Sequence, residues 1–239
     1  MNATLIVYED AYHEQLHLLV KALRKRLGRA GSILEGEPGR GTGQFENVLG
    51  PLLRRPLKQT RARPDRVICV ADADRPRNLA GVAAPPRPTE MTLGALDPWV
   101  EDLERAWRTR LVAAARLNAE EQARVEVVCL RWAKESLLVA CPDALLEYAA
   151  PREEEVRAVM AGCHPDPTLA EDSSFVTQYQ NPGACMDSVV RAISSGERKY
   201  KKGRDDEDIL RERILPKQDR LDQLLRRCPD LRRLIDRIL

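Results

Sequence analysis

The 239-residue chain contains no C-x-x-C pair, and its six cysteines lie apart at 69, 129, 141, 163, 185 and 228. That spacing excludes a zinc ribbon and a thioredoxin-type redox motif. Histidine is scarce, with only His13, His17 and His164 present. His13 and His17 stand four residues apart, but no H-E-x-x-H pattern surrounds them. They read as surface residues of an amphipathic helix rather than as zinc ligands. No apolar run approaches the ~20 residues that a membrane-crossing helix needs. The N-terminal MNATLIVYED also lacks the basic and apolar regions of a secretory signal. The expectation is a cytoplasmic protein with reduced thiols and no membrane contact. Charge of one sign is missing too: 39 Lys and Arg against 37 Asp and Glu leave a net +2, so any nucleic-acid partner must be met by local patches. The glycine-rich segment EGEPGRGTGQ has neither G-K-[ST] nor G-x-G-x-x-G spacing, which excludes a phosphate-binding loop. It reads as a flexible loop from which Arg40 reaches toward a substrate.

What is present is an alternation of elements. TLIVY (4–8) reads as a buried strand, followed by a helix with Leu16, Leu19, Val20, Leu23 and Leu27 on one face and Gly28 past its end. SILE (32–35) is a second strand and 45–54 a short helix. VICVA (67–71) is a third strand. Residues 75–92, with Pro76, Pro85, Pro86 and Pro88, form a loop. A long helix over 97–117 leads to a fourth strand, ARVEVVCLRW (123–132). Strand–helix alternation of this kind predicts an α/β fold, a parallel sheet of about four strands flanked by helices. Beyond residue 135 the pattern turns helical, with breaks at 162–168 and 181–184.

The chemistry gathers at strand ends. In VICVADADRP, Asp72 and Asp74 are alternate residues and point the same way in an extended chain. Two like charges held together need a cation between them. Glu9 and Asp10 directly follow the first strand, and Glu135 follows the fourth. In an open parallel sheet ligands bind at these carboxyl ends. Carboxylates without His or Cys companions favour Mg²⁺ or Mn²⁺, and such ions suit phosphodiester cleavage. Each group also has a plain reading: Glu9 as a helix-start carboxylate, Glu135 as a solvated residue, and D-x-D as an ordinary exit from a strand.

Glu9 in LIVYEDAYHEQL and the D-x-D of VICVADADRP resemble the signature of the Toprim fold, shared by topoisomerases, primases and the overcoming-lysogenization-defect nucleases. Asp10 stands where that family usually has glycine, and Glu14 resembles a second acidic position on the first helix. The chain is further similar to bacterial Toprim-like proteins in KESLLVACPDALLEY, RKYKKGRDDEDILRERI and RRCPDLRRLIDRIL. The resemblance implies a Toprim-like core over 1–150 and a helical C-terminal extension over 151–239 packed on it. It implies a nuclease acting on DNA or RNA, with Mg²⁺ or Mn²⁺ held by Asp72, Asp74, Glu9 and Glu135. Glu9 would be either a ligand or the general acid/base. Lys201, Lys202, Arg75 and Arg77 would meet phosphates; the plain reading of YKKGRDD is a solvated helix entry. An ABC/AAA-type ATPase partner, a role in antiviral defence and homo-oligomerisation belong to the same expectation.

A second reading is a catalytically inactive Toprim-like module that binds a partner ATPase or nucleic acid. A phosphohydrolase of the haloacid-dehalogenase type also uses D-x-D, but on the first strand and followed by Thr or Val, whereas here Arg-Pro follows the third strand.

Overall fold

In the computed structural model, residues 3–9, 13–28, 33–38, 45–58, 60–73, 85–86, 88–89, 93–131, 135–163 and 182–238 are described. Four strands form one parallel sheet: β1 (Ala3–Tyr8), β2 (Ile33–Pro38), β3 (Arg66–Asp72) and β4 (Val125–Leu130), in the spatial order β2-β1-β3-β4. The fold is the expected one, a four-stranded parallel sheet with flanking helices and a large helical C-terminal part. All of β1 is buried, as are Val67–Ala71 of β3. A parallel sheet covered on both faces requires such continuous apolar strands, which is why TLIVY and VICVA take the centre.

The edge strands are built differently. β2 runs to Pro38, so the first four residues of the segment read as a loop are strand, paired in register with Leu5–Tyr8. Gly36 is needed there because a Cβ would stand 2.7 Å from Nδ1 of His17 on the neighbouring helix. At the other edge, the Cys129 N–H is met by the buried Glu104 carboxylate at 2.8 Å. That contact satisfies a donor which an edge strand otherwise leaves unpaired.

The chain separates into two compact units. The first comprises Met1–Glu90, Gly94–Arg131 and Leu234–Leu239; the second, Met91–Leu93 and Trp132–Arg233. In the first, α1 (His13–Arg26) buries Leu16, Leu19, Val20 and Leu23, and its last turn carries Arg24, Lys25 and Arg26 against the negative end of the helix dipole. Gly28, with φ of 69°, closes it. α2 (Phe45–Arg54) matches its expected span. α3 (Leu93–Ala114) begins four residues early, with Pro98 tolerated near its start, and buries Trp99, Leu103, Trp107 and Leu111. α4 (Ala119–Ala123) is held by a reciprocal cap, Asn118 with Glu121. Arg54 grips the same Glu121 through two bonds of 2.7 and 3.1 Å.

The second unit contains α5 (Glu135–Val139), α6 (Pro142–Ala149), α7 (Glu153–Cys163), α8 (Pro182–Ile193), α9 (Arg204–Asp208), a π-helical segment (Ile209–Ile214) and α10 (Gln218–Arg227). The expected 150/151 boundary lies within this unit, between α6 and α7. Of the expected break at 181–184, residues 182–184 are instead the first turn of α8, where proline suits the position because no helical N–H is needed; residue 181 lies outside the described residues. α5 packs on α8, and α7 on α8. The last helix is α11 (Pro229–Ile238). No described helix is long and apolar enough to cross a membrane.

Candidate functional site

The strand order reverses at β1: β2 lies on one side and β3 on the other. A crevice at the carboxyl ends of such a pair is where open α/β sheets bind ligands. Glu9 follows β1 directly, and Asp72 is the last residue of β3. The Glu9 N–H donates to the Val70 carbonyl at 2.9 Å, continuing the ladder one step past the strand. The Asp72 N–H then donates to Oε2 of Glu9 at 3.0 Å. Two carboxylate-bearing residues are thus fixed side by side, one by the backbone of the other. That bond uses one of about four lone-pair directions of the Glu9 carboxylate. Hard oxygen donors of this kind fit Mg²⁺ or Mn²⁺. Among the described residues no group of three or more His, Cys, Asp or Glu lies close enough to hold an ion. Asp74, Arg75, Arg77, Arg40 and Asp10 lie outside the described residues. Glu14 is exposed on α1.

Next to Glu9, the Tyr8 hydroxyl sits 3.1 Å from Nδ1 of His17, with the two rings edge to face at 5.8 Å. Burial pushes the Tyr8 phenol well above its usual pKa, so the hydroxyl keeps its proton, and the imidazole tautomer decides which of the two atoms donates. His17 is therefore half-buried and engaged, which corrects its reading as a surface residue. The available signal was Gly36, the position that makes room for the imidazole.

Among the described residues of the second unit, Glu135 (1% exposed), Asp205 (0%) and Asp206 (1%) are the most deeply buried carboxylates. Asp205 accepts from the Tyr148 hydroxyl at 3.0 Å, the Arg198 guanidinium at 2.7 Å and the Lys201 N–H at 2.7 Å. Asp206 accepts the Tyr200 hydroxyl and, at 3.2 Å, the N–H of Gly203, whose φ of 90° favours glycine. Burial first, then the charges of Asp206 and Glu135, raises the Tyr200 phenol far above its ordinary pKa. RKYKKGRDD is accordingly only half the solvated helix entry it resembles: Lys201 is exposed, but both aspartates are internal.

Glu135 is different. Lys202 Nζ lies 2.7 Å from its Oε1, yet neither carboxylate oxygen receives a directed hydrogen bond. The contact is ionic, with its angles off the line of a hydrogen bond. The structure thus brings together two of the expected site residues at each of two places: Glu9 with Asp72, and Glu135 with Lys202.

No protein-family model matches the chain, and no curated protein does. Among solved structures, the C-terminal region of the Xanthomonas campestris pv. campestris OLD protein is similar over 100% of this chain and 98% of that one, at 14% identity and a TM-score of 0.37. The likeness runs the full length of both chains.

Proposed function

We propose that this chain is a divalent-metal-dependent nuclease that cleaves phosphodiester bonds in DNA or RNA. The observation that carries the reading is the fixed pairing of Glu9 with Asp72 at the point where the strand order reverses. Glu9, Asp72 and Asp74 are the residues that would hold Mg²⁺ or Mn²⁺, and Glu135 is proposed as a metal-holding carboxylate of the second unit. Such an ion, once held, would supply polarisation of a phosphoryl oxygen and a lowered pKa for a water molecule. Around it, Glu9 either ligates or moves a proton at the attacking or leaving oxygen. Lys201, Lys202, Arg75 and Arg40 neutralise and orient flanking phosphates. Activity as the effector of a defence system with an ABC/AAA-type ATPase, on an assembly that adds basic surface, is the setting we assign to it.

The test is incubation of the purified chain with supercoiled plasmid in Mg²⁺ or Mn²⁺, beside an EDTA blank and an Asp72→Ala/Asp74→Ala variant. Nicking or linearisation is expected from the wild type and not from the variant. Cleavage that survives in the variant overturns the site. Absence of cleavage, with and without a partner ATPase, leaves the inactive binding module as the reading.

A further inference from the structure

Resting on the reading of Glu135 as a metal-holding carboxylate, we infer that Lys202 is a built-in counter-cation which a divalent cation displaces from Glu135, so that cation loading precedes phosphate capture. Both roles proposed for these residues cannot hold at once: in the structure each is occupied by the other. A buried carboxylate normally collects hydrogen-bond donors, as Asp205 and Asp206 do a few residues beyond Lys202. Glu135, just as deeply buried, collects none, and its oxygens face a point charge instead. Lone pairs left without directed donors suit a hard cation better than they suit a fold-holding contact.

The surroundings of Lys202 allow the exchange. Its side chain is 51% exposed, and an ammonium on a flexible four-carbon stem can withdraw into water. Its backbone cannot move with it. The N–H on one side, of Lys201, is bound to Asp205, and the N–H on the other, of Gly203, to Asp206. The adjoining Tyr200 is anchored by its N–H to Asp187 at 3.0 Å and by its hydroxyl to Asp206. Exchange is therefore a side-chain swing on a rigid turn. The ammonium leaves the carboxylate to the incoming ion and becomes available to a phosphate oxygen.

Mn²⁺ titration of the full-length chain by calorimetry, with thermal unfolding in parallel, tests this without reference to cleavage. Lys202→Met is expected to tighten Mn²⁺ binding about tenfold, the low end of what a neighbouring charge does to proton affinity at a carboxylate. It is also expected to unfold at lower temperature without the ion and to recover the difference when Mn²⁺ is added. Glu135→Gln removes both effects. Should Lys202→Met not fold, Lys202→Arg serves instead: a forked guanidinium holds the carboxylate more firmly, and Mn²⁺ binding weakens. Mn²⁺ binding to the wild type with an affinity indifferent to residue 202 overturns this inference and leaves the nuclease reading standing. No Mn²⁺ binding to the wild type removes the metal assignment itself, and this inference with it.

Discussion

The two compact units of this chain are held together by different means. In the first, five consecutive apolar residues of β3 and the whole of β1 disappear from solvent, while Arg66 and Glu126, both partly exposed, pair at 2.6 Å beside them. In the second, short helices surround a polar interior: Asp205 with Arg198 and Tyr148, Asp206 with Tyr200, and Glu135 with Lys202. Apolar burial is non-directional and tolerates adjustment, whereas a buried charge depends on each of its donors being in place. The first unit should therefore bend under substitution where the second breaks.

Asp205→Ala is the severest test of that contrast. It leaves the Arg198 guanidinium without its carboxylate and the Lys201 N–H without its acceptor. A loss of roughly 3–5 kcal/mol is expected, as for breaking a buried pair from one side, read from urea unfolding. A loss under about 1 kcal/mol would place the network on a par with surface pairs and erase the distinction between the units. Gly36→Ala probes the first unit at a point of close packing. Its Cβ meets the His17 ring at 2.7–2.8 Å, so the imidazole must shift from Tyr8. Overpacking of this kind costs about 1–3 kcal/mol, and a structure of the variant should show the Tyr8 to His17 hydrogen bond lengthened or lost. The smallest effect concerns pH. Hydrogen bonds from Lys217 and Arg220 hold Glu147 down to about 2, against an ordinary 4.5. A carboxylate whose pKa is depressed by folding stabilises above its unfolded value and loses that contribution as pH falls through the folded one. The advantage of wild type over Glu147→Gln is thus complete above about 4.5 and gone near 2. With the side chain 39% exposed, it amounts to less than about 1 kcal/mol and shrinks in salt. Denaturation midpoints of the two proteins that stay parallel down to pH 2 would deny Glu147 this role.

What sequence reading recovers follows the same division. β1, β3 and α2 are legible because apolar periodicity reports burial directly, and the positions of Glu9 and Asp72 at the strand ends are legible for the same reason. The far half of β2 was hidden because its residues, Glu35, Gly36, Glu37 and Pro38, belong to a strand only through their pairing with β1. The engagement of His17 likewise depends on Gly36, which is distant in sequence. In the second unit, Asp205 and Asp206 sit in a run of charges that by composition belongs in water. Asp205 is compensated by the placement of Tyr148 and Arg198, and Asp206 by Tyr200 and the Gly203 N–H, and composition does not announce it. The pairing of Glu135 with Lys202 is a tertiary event of the same kind, with no periodic pattern linking the two positions.

Directly after Asp205 and Asp206, the chain winds as a π-helix over Ile209–Ile214, closed by Leu215 N–H to the Leu210 carbonyl at 2.8 Å. A wider turn of this sort accommodates one residue more than an α-helix of the same span. The segment therefore acts as a length buffer between two fixed contacts: the aspartate network on its N-terminal side and the Arg220 to Glu147 bond beyond its C-terminal end. Each additional residue in an α-helix rotates whatever follows by about 100°. By taking up that rotation locally, this turn sets the direction in which Arg220 reaches Glu147.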